Sequence, residues 1–502
     1  MIPPAQAEAA ALLRRLAGEA PIETHISAVF RGPETVWKLK KAVRLPYLDF
    51  STVAARERFC RHEFALNALA APGLYRDVVP VLRGADGAVR LGEPGGAAPE
   101  AIDWVLRMGR VPEADFLPAV LARGPPDPAL LDALGDAVAA YHAQCPKVSG
   151  VDAPAALRLV AEGNALAATE AGLPAEAVRG WTRDVLRALA EREAWLAARA
   201  KAGFVRRAHG DLHLGNLCLW HGRPTLFDAL EFDEALATID TGYDLAFLLM
   251  DLDFQAGRAA ANRVLNRYVA RTGDADLVAG LPPFLSLRAM VRAHVRAGGV
   301  RAGGGAADAV RYLDLALACL RPVHPMVLAV GGLPGTGKST LARAVAPALG
   351  PAPGALVLRS DEIRKRLHHA PPEQHLPPEA YGEAANRTVA AALIAAVRVA
   401  AAGGHTVIAD ATFLDAADRA AVAAAAASAG RPFLGVWLHA ALPVLEARIA
   451  RRTCDASDAT VAVLRKAAAA EPAEPGWTRI DAGDRAVAEA ALGRAVGNRL
   501  NL

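Results

Sequence analysis

The sequence predicts two parts of different class: an α+β part over residues 1–320 and an α/β part with a parallel sheet over 326–502. Three observations predict this. Residues 24–50 alternate as a hairpin does, 112–200 are helical in pattern and rich in Ala and Leu, and apolar strands alternate with helices only after 326. Between the two parts, Arg321-Pro322-Val323-His324-Pro325 reads as a linker, 321–325.

In chain order, a short helix leads in at about 5–16. HISAVFRG, a turn at Gly32-Pro33 and TVWKLKKAV then form the first hairpin. A helix over 53–71 and strand-like pieces at 78–92 and 101–108 complete a first lobe of about 20–110. The remainder, 111–320, is mostly helical, with strand-turn-strand character at 204–233. After the linker, MVLAV (326–330) enters a Gly-rich turn and a helix, and further buried strands fall at 356–359, 405–410 and 433–439. The Ala run 421–430 reads as a surface helix because Ala favours helix.

The 502 residues suffice for two or three domains, and 53% are hydrophobic. A net charge of +3 without a basic tail gives no nucleic-acid footprint. The five cysteines, Cys60, Cys145, Cys218, Cys319 and Cys454, are scattered and never form CxxC, which fits reduced thiols and not a disulfide frame or zinc site. The N-terminus lacks a basic start followed by an apolar core, so no secretory signal is expected. The most apolar stretch, 389–402, is interrupted by Arg398 and shorter than the roughly 20 residues a membrane span needs. A cytoplasmic protein without membrane attachment is expected.

The strongest motif is Gly332-Leu333-Pro334-Gly335-Thr336-Gly337-Lys338-Ser339, with Thr340 following, which fits GxxxxGK[ST] at every fixed position. Glycines let successive backbone N–H groups turn inward around phosphate oxygens, and the helix N-terminus adds a positive end. Lys338 is expected to reach the β- and γ-phosphates of ATP, and Ser339 to take Mg²⁺. The next strand ends at Asp361, placed either to accept a proton from an incoming hydroxyl or to cap the helix that follows. Arg364, one turn on, is placed for a substrate phosphate. Asp410 ends HTVIAD, where a Mg²⁺-organising carboxylate belongs. Arg448, Arg451 and Arg452 share a helical face and are placed either to close over phosphates or to be a solvated basic face.

GGLPGTGKST, RSDEIRKRL, VIADATF and RRTCDASDAT resemble the P-loop kinases related to polynucleotide 5′-kinases and zeta toxins, over about 326–500. The resemblance implies an α/β P-loop NTPase fold with a parallel sheet. It also implies that Asp361 acts as general base, that Arg364 contacts substrate, and that basic residues including Arg448 and Arg452 approach the phosphates.

A second motif is His209-Gly210-Asp211-Leu212-His213-Leu214-Gly215-Asn216. It has the HxDxxxxN spacing in which the Asp orients an acceptor hydroxyl and the Asn holds Mg²⁺. LCLWHGRPTLFD reads as a hairpin returning Asp228, a second metal carboxylate, beside Asn216. Such a site also needs a strand Lys paired with a helix Glu. Lys38 and Lys40 lie on one strand face, so periodicity does not choose between them, and Glu63 on an apolar helical face is their candidate partner. Glu231, Asp233 and Glu234 either attract a cationic acceptor or form a solvated acidic loop.

HGDLHLGN, LFDALEFDE and YDLA (243–246) resemble the aminoglycoside phosphotransferase and choline-kinase superfamily, over roughly 24–320. The resemblance implies a two-lobed α+β protein-kinase-like fold with nucleotide in the cleft, and Asp244 as support for the catalytic loop. The first hairpin has only Gly32 in place of a GxGxxG phosphate clamp. The fused architecture resembles bacterial bifunctional aminoglycoside phosphotransferase/ATP-binding proteins. The function expected is an ATP- and Mg²⁺-dependent phosphotransferase with two nucleotide sites acting on small-molecule hydroxyl acceptors. The alternatives are a single kinase with a regulatory P-loop module and a non-catalytic ATP-binding scaffold. Nucleic acid as an acceptor is an option that the composition does not indicate.

Overall fold

The computed structural model describes residues 1–45, 48–96, 98–300, 305–451 and 455–500. Arg452 and Cys454 therefore lie outside the described residues. Contacts divide the chain into two compact units. The first is Met1–Pro126, Ala140–Ala153 and Ala197–Leu248; the second is Asp127–Ala139, Pro154–Leu196 and Leu249–Leu502.

The first unit holds a six-stranded antiparallel sheet. Its strand order is Ile22–Glu23, Ser27–Arg31, Thr35–Lys40, Ala101–Gly109, Tyr75–Arg83 and Val89–Leu91. Side chains alternate along a strand, so Thr35–Lys40 sends Trp37 and Leu39 to one face and its two lysines to the other. Trp37 and Leu39 pack with Phe30, Val79, Val105 and Leu13 of the leading helix Ala7–Ala17. On the lysine side lies the helix Val53–Asn67, whose Thr52 cap accepts from Ala55 N at 3.1 Å and whose Cys60 packs with Trp104 and Leu106. The expected strand-turn-strand region resolves into Val205–Arg207 paired with Thr238–Asp240, and a hairpin of Leu217–Trp220 with Arg223–Leu226.

The second unit holds a five-stranded parallel sheet ordered Leu356–Arg359, Val407–Asp410, Val327–Gly332, Phe433–His439 and Thr478–Asp481. Both faces of Val327–Gly332 are buried, as its unbroken apolar run requires of a parallel sheet. Leu328, Val330, Ile408 and Val436 meet Leu341 of the helix Lys338–Val345 and Leu492 of Arg485–Leu500 in one core. Thr478–Asp481 was not expected. It pairs on one side only, with Phe433–His439, and buries Ile480 alone, so it carries no apolar run.

The helices of 249–320 group with this sheet. Two carboxamides explain it. Asn262 Nδ2 donates to Ala355 O at 3.0 Å, and Val357 N donates to Asn266 Oδ1 at 2.6 Å. These satisfy the open edge of Leu356–Arg359 from the helix Arg258–Thr272. Residues 322–325 carry no regular structure.

Among the described residues one helix, Glu383–Ala402, has the length and apolarity of a membrane span. It is longer than the apolar stretch expected there, and its buried residues Val389, Leu393, Val397 and Ala400 lie on the side that meets the parallel sheet. Cys60, Cys145, Cys218 and Cys319 are free and buried. Because Leu328 is fully buried in the central strand, Leu328→Ala should lower stability by about 2–5 kcal/mol, read as a lower urea midpoint.

Candidate active sites

In the first unit Glu63 is fully buried, and each of its carboxylate oxygens takes a different lysine. Oε1 accepts from Lys38 Nζ at 2.7 Å and Oε2 from Lys40 Nζ at 2.7 Å. The two lysines then part. Lys38 reaches Asp228 Oδ1 at 2.6 Å, whereas Lys40 reaches Glu231 Oε1 and lies 5.0 Å from the Phe50 ring centroid. Their side chains are 14% and 1% exposed respectively, so Lys38 is the one turned toward the open site. Burial by itself would lower the pKa of Lys38, but the carboxylates of Asp228, Glu63 and Glu231 outweigh it and hold the ammonium well above its ordinary value.

The three acidic residues after Asp228 each have partners within the chain. Glu231 is buried against Lys40. Asp233 caps a short helix by accepting from Ala235 N and Leu236 N, and Glu234 pairs with Arg207 and His62. Glu234 nevertheless stays 59% exposed, so of the three only Glu231 is buried.

The loop 209–216 is held from behind by the buried Asp244. Its Oδ2 accepts from His209 N at 3.1 Å, its Oδ1 from Gly210 N at 3.0 Å, and His142 Nε2 lies 3.1 Å from Oδ2. His209 Nε2 donates to Phe227 O at 3.0 Å, and burial lowers the pKa of this imidazole. Asn216 Nδ2 donates to Asp211 Oδ2 at 3.0 Å and to Asp211 O at 2.9 Å.

The hairpin pairs Leu217 with Leu226, and Phe227 N donates to Asn216 O at 3.1 Å, so the chain carrying Asp228 returns beside Asn216. Asp228 has φ +60°, and its N–H donates to the buried Tyr75 Oη at 2.9 Å. Asp211 and Asp228 are each 41% exposed at the side chain, so both carboxylates open to solvent while the groups holding them do not.

In the second unit the P-loop joins Val327–Gly332 to the helix Lys338–Val345. Gly332 has φ +133°, and a Cβ there would lie 2.3 Å from Leu438 O; Gly337 caps the helix at φ +87°. Only glycine satisfies both positions at low cost. Lys338 Nζ donates to Gly332 O and Leu333 O, each at 3.0 Å. Ser339 Oγ donates to Asp410 Oδ2 at 2.5 Å, which joins the two groups expected at Mg²⁺.

A cavity of about 1280 Å³ is lined by Gly335, Lys338, Asp361, Arg364, Asp410 and Arg448 among others. Asp361 lies inside the first turn of Ser360–Leu367, whose cap position is Arg359, so it does not cap that helix. Burial raises the Asp361 pKa, Arg359 opposes this, and a hydrogen bond from the Ser457 hydroxyl opposes it further. Arg364 is occupied within the unit: Nη1 donates to Ala380 O at 2.7 Å and Nη2 to Asn386 Oδ1 at 2.8 Å. Arg448 Nη2 donates to Ala482 O at 2.8 Å and Gly483 O at 2.9 Å. Arg451 is exposed.

Several groups at this cavity were not singled out by sequence. Buried Arg359 gives Nη1 to Glu362 Oε1 at 2.9 Å and Nη2 to Asp455 Oδ1 at 2.8 Å, with Nε 3.4 Å from Asp410 Oδ2. Lys365 Nζ donates to Asp458 Oδ2 at 2.6 Å. The local signal was a run of charge, RSDEIRKRL, that shows no inside or outside until the partner carboxylates arrive from residues 455–458.

Two family models match the chain, one on each side of 321–325. Residues 52–280 match the family described as phosphotransferase enzyme family, and residues 327–472 match the family described as AAA domain. The uncharacterized protein Rv2004c of Mycobacterium tuberculosis (strain ATCC 25618 / H37Rv) is 31% identical over 490 residues, covering 94% of each chain. The chain belongs to the same family as this mycobacterial protein. This chain joins a segment of the phosphotransferase enzyme family to a segment of P-loop kinase-like type.

Among solved structures, a choline/ethanolamine kinase family protein from Mesorhizobium loti is 15% identical, covers 63% of this chain and 93% of its own, and has a TM-score of 0.36. A gluconokinase from Sinorhizobium meliloti 1021 is 21% identical, covers 36% and 97%, and has a TM-score of 0.27.

The two lysines of the fused family's first site should separate by experiment. Lys40→Met leaves Glu231 buried without its cation and should cost about 3–5 kcal/mol. Lys38→Met should cost less, since Glu63 keeps Lys40 and Asp228 meets water. Urea unfolding of the two variants measures the difference.

Proposed function

We propose that the chain is a phosphotransferase with two nucleotide sites, each passing the γ-phosphoryl group of ATP to a hydroxyl of a small-molecule acceptor. The observation that carries this reading is that each unit sets a lysine and an exposed or cavity-lining carboxylate beside paired groups suited to Mg²⁺. The pairs are Asn216 with Asp228 in the first unit and Ser339 with Asp410 in the second.

In the first site Lys38, held by Glu63, contacts the phosphates, and Asp211 accepts the acceptor's proton while Asn216 orients it. Lys40 lies too deep for that part and stiffens the strand from below. In the second, backbone N–H groups of the P-loop bind the phosphates with Lys338, and Asp361 takes the proton. Arg448 lines the same cavity and adds positive charge; the part expected of Arg452 is proposed on its position in sequence alone.

Among the described residues no group of three or more His, Cys, Asp and Glu is placed to hold a metal. That suits a cation such as Mg²⁺, which is bound by one or two protein oxygens together with substrate phosphates. When bound, Mg²⁺ offsets the negative charge that the phosphates present to each other. The chain's own contribution is placement: Asp361 stands at the strand end where the acceptor enters, and Arg364, bonded to Asn386, shapes the acceptor's side of the cavity.

ATP consumption by each site, screened over sugars, aminosugars, nucleosides and oligonucleotides, tests the reading. Asp211→Asn and Asp361→Asn should each remove about a hundred- to ten-thousandfold of turnover with a different acceptor set. If neither changes turnover with any acceptor while ATP still binds, the chain is not a phosphotransferase. If only Asp361→Asn is silent, the P-loop is a switch.

The pH profile supplies a second check. A carboxyl acts as base only when ionised, and burial raises Asp361 above the ordinary 3.8. Turnover at the second site should therefore rise with pH through a value above 3.8, with its acid limb displaced upward and abolished in Asp361→Asn.

A further inference from the structure

The cavity of the second unit contains a piece of the chain itself at the place where an acceptor would lie. Residues 455–460 carry no helix or strand, yet they are pinned at two points on either side of Asp361. Asp455 Oδ1 accepts from Arg359 Nη2 at 2.8 Å, and Asp458 Oδ2 accepts from Lys365 Nζ at 2.6 Å. The side chains of Arg359, Lys365 and Asp458 are 3%, 1% and 8% exposed, so both cations are buried, while Asp455 is 30% exposed. Asp458 also accepts from Leu376 N at 3.0 Å and from Tyr381 Oη. Ser457 lies between the anchors, and both it and Asp361 line the cavity that contains Lys338 and Ser339.

We propose that Ser457 is a phosphoacceptor of this chain's own P-loop site, modified in cis by ATP. The inference rests on reading that site as a phosphotransferase with Asp361 as base. In the step, Ser457 Oγ forms a bond to the γ-phosphorus of ATP as the bond from that phosphorus to the β,γ-bridging oxygen breaks. The hydroxyl proton passes to an oxygen of Asp361, and ADP leaves. The anchors supply what an intermolecular acceptor must gain by binding, namely a hydroxyl already held in the cavity.

The product has a consequence for the site. A phosphoserine brings about −1.5 to −2 charges between Asp455 and Asp458 and close to Asp361. Like-charge repulsion then drives the segment off Asp361, so one modification per chain opens the acceptor position.

The test uses the full chain carrying Asp211→Asn, which silences the first site, incubated with ATP and Mg²⁺. Intact-mass measurement and peptide mapping should find one added phosphoryl group per chain, at position 457. Its rate should not depend on protein concentration. Ser457→Ala and Lys338→Ala should each abolish the label, and Ser457→Thr should keep a labelled side chain at that position. An unlabelled position 457 in a chain that binds ATP and turns over an external acceptor in an Asp361-dependent manner overturns the inference and leaves the proposed function standing. A chain whose P-loop binds no ATP overturns both. A labelling rate proportional to protein concentration overturns modification in cis.

Discussion

The first site hangs from one buried carboxylate that holds two ammonium groups. Glu63 has no contact with water, and each of its oxygens receives a lysine from alternate positions of a single strand. A buried anion without such partners would cost several kcal/mol, so strand and helix are fixed relative to one another by charge as well as by packing. Each lysine then has capacity for a second carboxylate. Lys40 uses it inward on Glu231 and Lys38 outward on Asp228, and so the segment 228–231 is tied to the strand at both ends.

The second site depends on a different constraint, the absence of a Cβ. Where the central strand meets its helix, the chain passes through positive φ at Gly332, Gly335 and Gly337. At Gly332 the neighbouring carbonyl of Leu438 leaves no room for a side chain. The turn this permits leads into the helix Lys338–Val345 and leaves the Ser339 hydroxyl beside Asp410, at the end of the adjacent strand. Parallel pairing does the rest, since neighbouring strands end side by side and bring their terminal residues to one edge.

In both units the cations of the site are engaged by the chain's own acceptors. Lys38 rests on Asp228, Lys338 on the carbonyls of its own loop, and Arg359 on Asp455. Charged groups held in this way are oriented before a phosphate arrives, and their exchange of partners is local. The segment 455–458 extends the same economy to a whole stretch of chain: two carboxylates satisfy two buried cations, and a hydroxyl is presented between them.

The parts of this protein that depend on short-range spacing were legible in its sequence. The P-loop, the loop 209–216, the strands ending at Arg359, Asp410 and His439, and the pairing of a strand lysine with Glu63 all follow from local periodicity or fixed intervals. Only the tertiary structure decided which of Lys38 and Lys40 faces the open site, because both have the same strand parity and differ only in the carboxylate brought to them from residues 228–231. It alone turned Glu231 inward onto Lys40, grouped the helices of 249–320 with the parallel sheet, added the edge strand Thr478–Asp481, and brought Ser457 and Asp361 to one cavity. These join residues far apart along the chain, and a contact of that kind leaves no period in the sequence on either side of it.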